Sequence, residues 1–142
     1  MAAELKKLRA VLARRNLTGL ANDTKWKELV EAFLAMDYTP RYQCKRIDGE
    51  HVFKPCSEWE AIPWPATSIE WLDVFFVERR RQGELLSMHS VDHSSEVEKV
   101  LLSVGLDFKK GKECFRVFGY APRDEHGSVS YTHLRAHETS LH

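Results

Sequence analysis

Two tryptophans and four carboxylates lie close together in the middle of the chain, and these residue types can act in catalysis or in recognition. The set comprises Trp59, Trp64, Glu58, Glu60, Glu70 and Asp73. If residues 58–62 pair as a strand with residues 68–77, the carboxylates line one surface flanked by tryptophans. Glycosidases use paired carboxylates as general acid and base. Tryptophans surrounded by charge are also typical of protein–protein interfaces, and this is the role that we expect here.

Histidines near the end of the chain form a second group, with metal-binding potential. His126, His133, His137 and His142 are four of the seven histidines and fall in the last 17 residues. The spacing of His133 and His137 would place two imidazoles on one face of a helix. Residues 129–139 resemble a peptide that ends unrelated conceptual translations in which sequencing-adapter DNA is read as coding sequence. We therefore expect residues 127–142 to be a disordered, artefactual tail that takes no part in the fold.

A third group combines His89, Asp92 and His93, in which two imidazoles four residues apart accompany a carboxylate. The sequence shows no fourth ligand for zinc, so we expect no metal site here. His51 and Cys56 supply a base and a thiol, but they flank a predicted strand and no local feature activates the thiol. We expect no cofactor.

The charge balance argues against nucleic acid and membranes as partners. Lys plus Arg and Asp plus Glu each number 21, which gives a net charge of zero, so no overall field draws the chain to nucleic acid. No apolar run approaches the roughly 18 residues that a membrane-spanning helix needs. Basic residues within the first 15 positions leave one alternative, nucleic-acid binding through an N-terminal helix.

The cysteines indicate the compartment. Cys44, Cys56 and Cys114 are odd in number, widely spaced and free of any CxxC motif, which favours reduced thiols over a disulfide framework. The first 20 residues alternate apolar and basic positions and lack the continuous apolar segment of a secretory signal. We expect a cytoplasmic protein.

Apolar periodicity predicts three helices. Residues 5–12 form a short, basic, amphipathic helix, and residues 22–34 carry the single apolar stripe of a helix that lies on a core. A third helix begins at the capping box of Ser95 and Glu98 and ends at Gly105, a residue suited to a left-handed C-terminal position.

Alternating and β-branched patterns predict the strands. They fall at residues 41–47, 50–54, 58–62, 68–77 and 114–120, with a further candidate at 84–89. Asp48–Gly49 favours a tight hairpin turn between the first two strands. The strand at 68–77 has apolar residues on both faces, which indicates a central strand covered on both sides for part of its length. Residues 78–83 are predicted to be a solvated turn.

The element order ααβββ(β)αβ predicts an α+β fold, with an antiparallel sheet of four to five strands and helices mainly on one face. We expect residues 1–21 to form an N-terminal helix and linker, and residues 22–126 to form a single domain. Trp26 and Trp71 are expected in its core.

Three segments carry a resemblance to a known family. Residues 22–26 read Asn-Asp-Thr-Lys-Trp, residues 69–73 read Ile-Glu-Trp-Leu-Asp, and residues 115–120 read Phe-Arg-Val-Phe-Gly-Tyr. Together they resemble a bacterial family of unknown function with the motifs Asn-x-Thr-Lys-Trp, Glu-Trp-Leu-(Glu/Asp) and Arg-(Val/Ile)-x-Gly-Tyr, over residues 22–122. The segment around residues 63–65 departs from that pattern. The resemblance implies a small bacterial cytoplasmic protein and transfers no catalytic residue.

These observations lead us to expect a non-enzymatic, cytoplasmic protein-binding module of the immunity or accessory type. Its partner would be another protein, recognised through the tryptophan and acidic surface. One alternative is a small enzyme that uses the carboxylates Glu58, Glu60, Glu70 and Asp73. A second alternative is a nucleic-acid binder that uses the basic N-terminal helix.

Overall fold

A computed structural model of the chain describes residues 2–49, 55–63, 65–81 and 88–122. Trp64, the predicted strand at 50–54 and the tail at 127–142 lie outside these residues, so the expectations for them stay predictions.

The described residues form three α-helices and eight strands. The helices are α1 (Ala2–Arg15), α2 (Asp23–Leu34) and α3 (Ser94–Val104). The strands are β1 (Leu17–Gly19), β2 (Arg41–Arg46), β3 (Ile69–Phe75), β4 (Val77–Arg81), β5 (Met88–Asp92), β6 (Phe108–Lys110), β7 (Cys114–Phe118) and β8 (Tyr120–Pro122). In this part of the chain, no helix has the length and apolar character needed to cross a membrane.

A four-stranded sheet of order β2-β3-β7-β6 forms the centre of the fold, and all its neighbouring strands are antiparallel. Its inner face packs on buried side chains of α2 and α3 in one apolar cluster. The strands β1 and β8 pair with each other, as do β4 and β5. The predicted α+β fold is confirmed.

Local signals correctly predicted α2 and the end of α3, but not the start of α3. The side chain of Asn22 accepts a hydrogen bond from the backbone N–H of Lys25 at 2.9 Å, which caps α2. Trp26 of that helix is 1% exposed, so its expected core position is confirmed.

The helix α3 begins at Ser94, after His93, whose side chain makes no capping hydrogen bond, so the predicted capping box of Ser95 and Glu98 is wrong. At the far end of α3, Gly105 adopts the predicted left-handed conformation with φ of 82°.

Strand pairing differs from the prediction in three places. Residues 59–61 form a turn of 3-10 helix instead of a strand. Residues 78–81, expected to be a turn, belong to β4 and pair with β5. The strand β1 lies within the expected linker at 16–21 and pairs with β8, a contact between distant parts of the chain that no local pattern reveals.

The helix α1 packs on a smaller apolar cluster at one end of the sheet. Leu8 and Val11 of this helix lie in the cluster with Leu17, Ile47 and Tyr120. The apolar stripe of α1 is therefore covered at Leu8 and Val11, while Leu5 is 40% exposed.

Candidate functional site

The face of the four-stranded sheet opposite α2 and α3 is the candidate functional site, and we call it the outer face. Side chains alternate along each strand, and the residues between the buried ones point away from the core. Cross-strand register arranges them in three rows: Arg41, Phe75 and Cys114; Gln43, Asp73, Arg116 and Lys109; and Lys45, Trp71 and Phe118. None of these side chains belongs to either apolar cluster of the described residues.

A connected set of side chains occupies the middle of the outer face. The Arg116 guanidinium donates to Asp73 through Nε at 2.8 Å and through a terminal nitrogen at 3.1 Å. Gln43 Nε2 donates to the same carboxylate at 3.1 Å. The guanidinium carbon lies 3.7 Å from the centre of the Trp71 ring, within the range of a cation–π contact. Hydrogen bonding to Asp73 raises the pKa of Arg116 and fixes its plane over Trp71.

Glu70 lies at one end of the outer face, where the strand is irregular. Lys45 pairs with Trp71 but Arg46 pairs with Ile69, so Glu70 is the extra residue of a bulge. The guanidinium of Arg15 binds both oxygens of Glu70, at 2.8 and 3.1 Å, and Lys45 lies at 3.2 Å. Burial alone would raise the pKa of Glu70, but the hydrogen bonds from the two cations outweigh it and the pKa is lowered.

Aromatic rings and positive charge dominate the rest of the outer face. Trp71, Phe75 and Phe118 are partly exposed, and they lie on β3 and β7, the two central strands. The Arg41 guanidinium lies 5.3 Å from the centre of the Phe75 ring. The carboxylates of this face are bonded to cations, so the surface is aromatic and basic where the sequence predicted a tryptophan and acidic surface.

The residues predicted as a site are divided by the fold. Trp59 is fully buried between the rings of Phe33 and Tyr42, with centroids 5.1 and 4.3 Å away, and its Nε1 donates to the Pro40 carbonyl at 2.9 Å. The expected surface position of this ring is therefore wrong. A strand at residues 58–62 was expected to present this ring beside Glu58 and Glu60, whereas the ring completes the core.

The four predicted carboxylates also do not converge. Glu58 and Glu60 are exposed beside the 3-10 turn, while Glu70 and Asp73 lie on the outer face with separate cationic partners. A glycosidase-type acid needs a raised pKa, and the pKa of Glu70 is lowered. This arrangement does not supply the acid and base that the enzyme alternative requires.

Trp71 was expected in the core, and this expectation is wrong. The ring is partly exposed on the outer face and stacks with Arg116. Apolar residues on both faces of β3 were correctly seen, but they do not show which face the helices cover. Nothing in the local sequence pairs Asp73 with Arg116, which lies 43 positions later.

Two of the cysteines have little nucleophilic character. Burial raises the pKa of Cys44 to about 12 and that of Cys114 to about 11. Both side chains therefore stay protonated at neutral pH, and a thiol is a far weaker nucleophile than a thiolate.

A cleft of about 490 Å³ lies next to the outer face, and sequence reasoning missed it. Its lining includes Tyr38, Thr39, Arg41, Ser57, Glu78 and Arg79. Arg41 is shared with the outer face, and the remaining residues come from β4 and the loops before β2 and before the 3-10 turn. Among the residues near the cleft, the sequence had pointed to His93, as a possible metal ligand.

His93 does not line this cleft, but it contacts two residues that do, Tyr38 and Glu78. Its Nε2 lies 2.7 Å from Glu78 Oε1, and its Nδ1 lies 3.4 Å from Glu96 Oε1. The Tyr38 ring stacks on the imidazole at 4.1 Å with an angle of 8°. Arg80 donates two further hydrogen bonds to Glu78, at 2.9 and 3.0 Å. These contacts hold the Glu78 carboxylate and the Tyr38 ring in place.

Acid should weaken this part of the fold through Glu78. Hydrogen bonds from Arg80 and His93 lower its pKa to about 2, from an ordinary 4.5. A lowered folded-state pKa gives stability that is present above the unfolded pKa and lost as the pH falls towards the folded one. We expect the melting temperature of wild type to exceed that of Glu78→Gln at neutral pH, with the difference shrinking between about pH 5 and pH 2. A constant difference across that range would contradict the assignment.

Comparison with known proteins gives the family. A model described as a family of unknown function (DUF6678) matches residues 8–124. The chain belongs to that family. The match confirms the resemblance to a domain of unknown function, and it extends back into α1, beyond the expected start at residue 22. No curated protein and no solved structure matches the chain.

Proposed function

We propose that this DUF6678 domain is a non-enzymatic module that binds another protein through its outer face. The observation that carries the proposal is the Trp71–Arg116–Asp73 arrangement, in which a partly exposed aromatic ring and a guanidinium are already held in fixed positions. Tryptophan and arginine dominate interface hot spots. Side chains ordered before binding lose little conformational freedom on association.

The charges on the outer face favour a protein over nucleic acid. Asp73 holds Arg116, and Glu70 holds Lys45, so two of the four cations in the three rows already have an anionic partner. Arg41 and Lys109 remain, and two phosphate contacts give weak, salt-sensitive binding. The chain as a whole has a net charge of zero. A protein surface needs only local charge complementarity.

Nucleic acid is a second candidate because of one observation. Aromatic side chains on the two central strands of an antiparallel sheet, with helices behind, can stack bases of a single strand. Trp71 and Phe118 are direct cross-strand neighbours on those strands. This candidate uses the sheet, in contrast to the basic N-terminal helix expected from the sequence.

The proposal includes a cytoplasmic location and an immunity or accessory role. All three cysteines lie in the described residues and are free thiols, which is the usual state in a reducing compartment.

Substitution of outer-face aromatics tests the proposal. Phe118→Ser and Trp71→Ala should remove the apolar part of the surface while the folded state persists, because neither side chain belongs to the apolar clusters. We expect proteins captured from a lysate by the wild type to be lost with both variants, at a cost of about 2 kcal/mol or more in binding. The measurement is quantitative mass spectrometry of the captured proteins, beside melting curves of each variant.

Leu102→Ser is the matched control. Leu102 is 63% exposed on α3, away from the outer face, so this change also removes an exposed apolar side chain. The control should capture the same proteins as the wild type. Equal capture by wild type, control and both variants would contradict the proposal. Tight binding of a labelled thymidine oligomer of about 15 nucleotides, lost with Phe118→Ser, would favour the second candidate.

A further inference from the structure

The cleft beside the outer face has the size and chemistry of a small binding pocket. Its volume of about 490 Å³ lies within the range of ligand pockets, about 300 to 1,000 Å³. Its lining combines the guanidinium groups of Arg41 and Arg79 with the hydroxyl groups of Thr39 and Ser57. These are all hydrogen-bond donors, which suits an anion.

The carboxylate in the lining does not cancel this preference. Glu78 accepts two hydrogen bonds from Arg80 and lies 2.7 Å from the imidazole of His93, so Arg80 partly offsets its negative charge. Arg41 forms no ion pair within the described residues, and its guanidinium lies over the Phe75 ring. A cation on an apolar ring is poorly solvated on that side and pairs well with an incoming anion.

The carboxylates near the cleft favour a ligand group with a single negative charge over one with two. Arg79 is bonded to Glu113, and Glu78 adds a second carboxylate at the wall. A phosphate dianion would be repelled by both carboxylates, whereas a carboxylate monoanion is repelled less and matches the planar guanidinium groups.

We propose that this cleft receives a carboxylate of the protein partner that docks on the outer face. Apolar groups of the same partner segment would pack on the Phe75 ring next to the cleft. The inference rests on the proposed function, and it specifies the partner as an acidic and apolar segment. The cleft and the outer face are continuous, because Arg41 lines the cleft and also pairs across strands with Phe75 of the outer face. A partner segment on the outer face can therefore reach the cleft directly. Charge complementarity with Arg41 selects the acidic group, because Arg79 is already paired with Glu113.

A pair of matched small probes tests the cleft without the partner. N-acetylphenylalanine carries a ring and a carboxylate, and N-acetylphenylalanine amide carries the same ring without the charge. In an NMR titration of the full chain, we expect the acid to shift the backbone amide signals of Tyr38, Thr39, Arg41 and residues 77–79, with saturation. The neutral amide should bind about tenfold more weakly, because a hydrogen bond to a charged group is lost.

Variants locate the effect. Arg41→Gln should weaken binding of the acid about tenfold, and Arg79→Gln should weaken it as well. Arg9→Gln, an exposed arginine on α1, is the control and should bind like the wild type. Equal affinity for acid and amide, tighter binding of phenyl phosphate, or no loss with Arg41→Gln would each overturn the proposal.

The probe titration and the capture experiment distinguish failure of the cleft proposal from failure of the proposed function. If the probe binds as expected but Phe118→Ser keeps every captured protein, the cleft is an anion site and the outer face is not the docking surface. If capture depends on Phe118 but the probe does not bind, the docking surface stands and the carboxylate pocket is wrong.

Discussion

Replacing Trp59 with alanine should lower the free energy of unfolding by about 3 to 5 kcal/mol, a large part of the roughly 5 to 15 kcal/mol that keeps a typical domain folded. The ring has no exposed surface and fills the space between Phe33 of α2 and Tyr42 of β2. Its removal leaves a cavity and also leaves the Pro40 carbonyl without its donor. Urea denaturation followed by circular dichroism measures the loss.

Trp59→Phe separates the two contributions. Phenylalanine keeps much of the apolar volume but cannot donate to Pro40, so we expect a smaller loss of about 1 to 3 kcal/mol. If Trp59→Ala unfolds at nearly the same urea concentration as the wild type, the ring is not part of the core. That result would favour the binding role that the sequence predicted for Trp59.

Replacing Gly119 with alanine should be the most damaging single-methyl change. A Cβ at this position would collide with the backbone carbonyl oxygen of Ile69 and lie 3.2 Å from the Trp26 ring. Gly119 also donates to Glu70 O at the bulge and accepts from Leu20 N, both at 2.8 Å. Because the backbone at Ile69 and the Trp26 ring must both move, we expect a loss of about 3 kcal/mol or more, measured by thermal and urea unfolding.

Gly19→Ala is the control for Gly119. A Cβ on Gly19 would meet the Tyr120 ring at 3.6 Å, which is ordinary van der Waals contact. We expect this change to alter stability by less than about 1 kcal/mol, in either direction. Similar losses for the two variants would mean that glycine is needed for chain flexibility at both positions, and that the close approach at Ile69 is wrong.

The helices were predictable because their signals are local. Asn22 caps α2 within its own first turn, and Gly105 ends α3 by a conformation that glycine adopts readily. The fold class followed from these helices and from the strong pattern at residues 68–77. The strands β1 and β6 were missed, since each has only three residues and carries little pattern of its own. β1 pairs with the distant strand β8, whereas β6 pairs with β7, the next strand in the chain.

The site was only partly predictable, because two tryptophans lie where the sequence analysis did not expect them: Trp59 is in the core and Trp71 is on the outer face. Trp71 lies on a strand with apolar residues on both faces, and the sequence cannot state which face the helices cover. Trp59 is buried by contacts with Phe33, Tyr42 and Pro40, which come from other elements. Asp73 lies on β3 and is only 2% exposed, and its pairing with Arg116 depends on strand register.

Site-specific photo-crosslinking in the native host tests the outer face most directly. A benzoylphenylalanine introduced at Phe118 lies on the outer face, and the same residue at Leu102 lies on the exposed side of α3. We predict that irradiation joins the Phe118 variant to one discrete protein partner, and that Arg116→Ala in the same chain reduces this product. The Leu102 variant should give no such product. Crosslinks from Phe118 that stay within the chain, join only nucleic acid or match those from Leu102 would contradict the assignment of the outer face as a protein-binding surface.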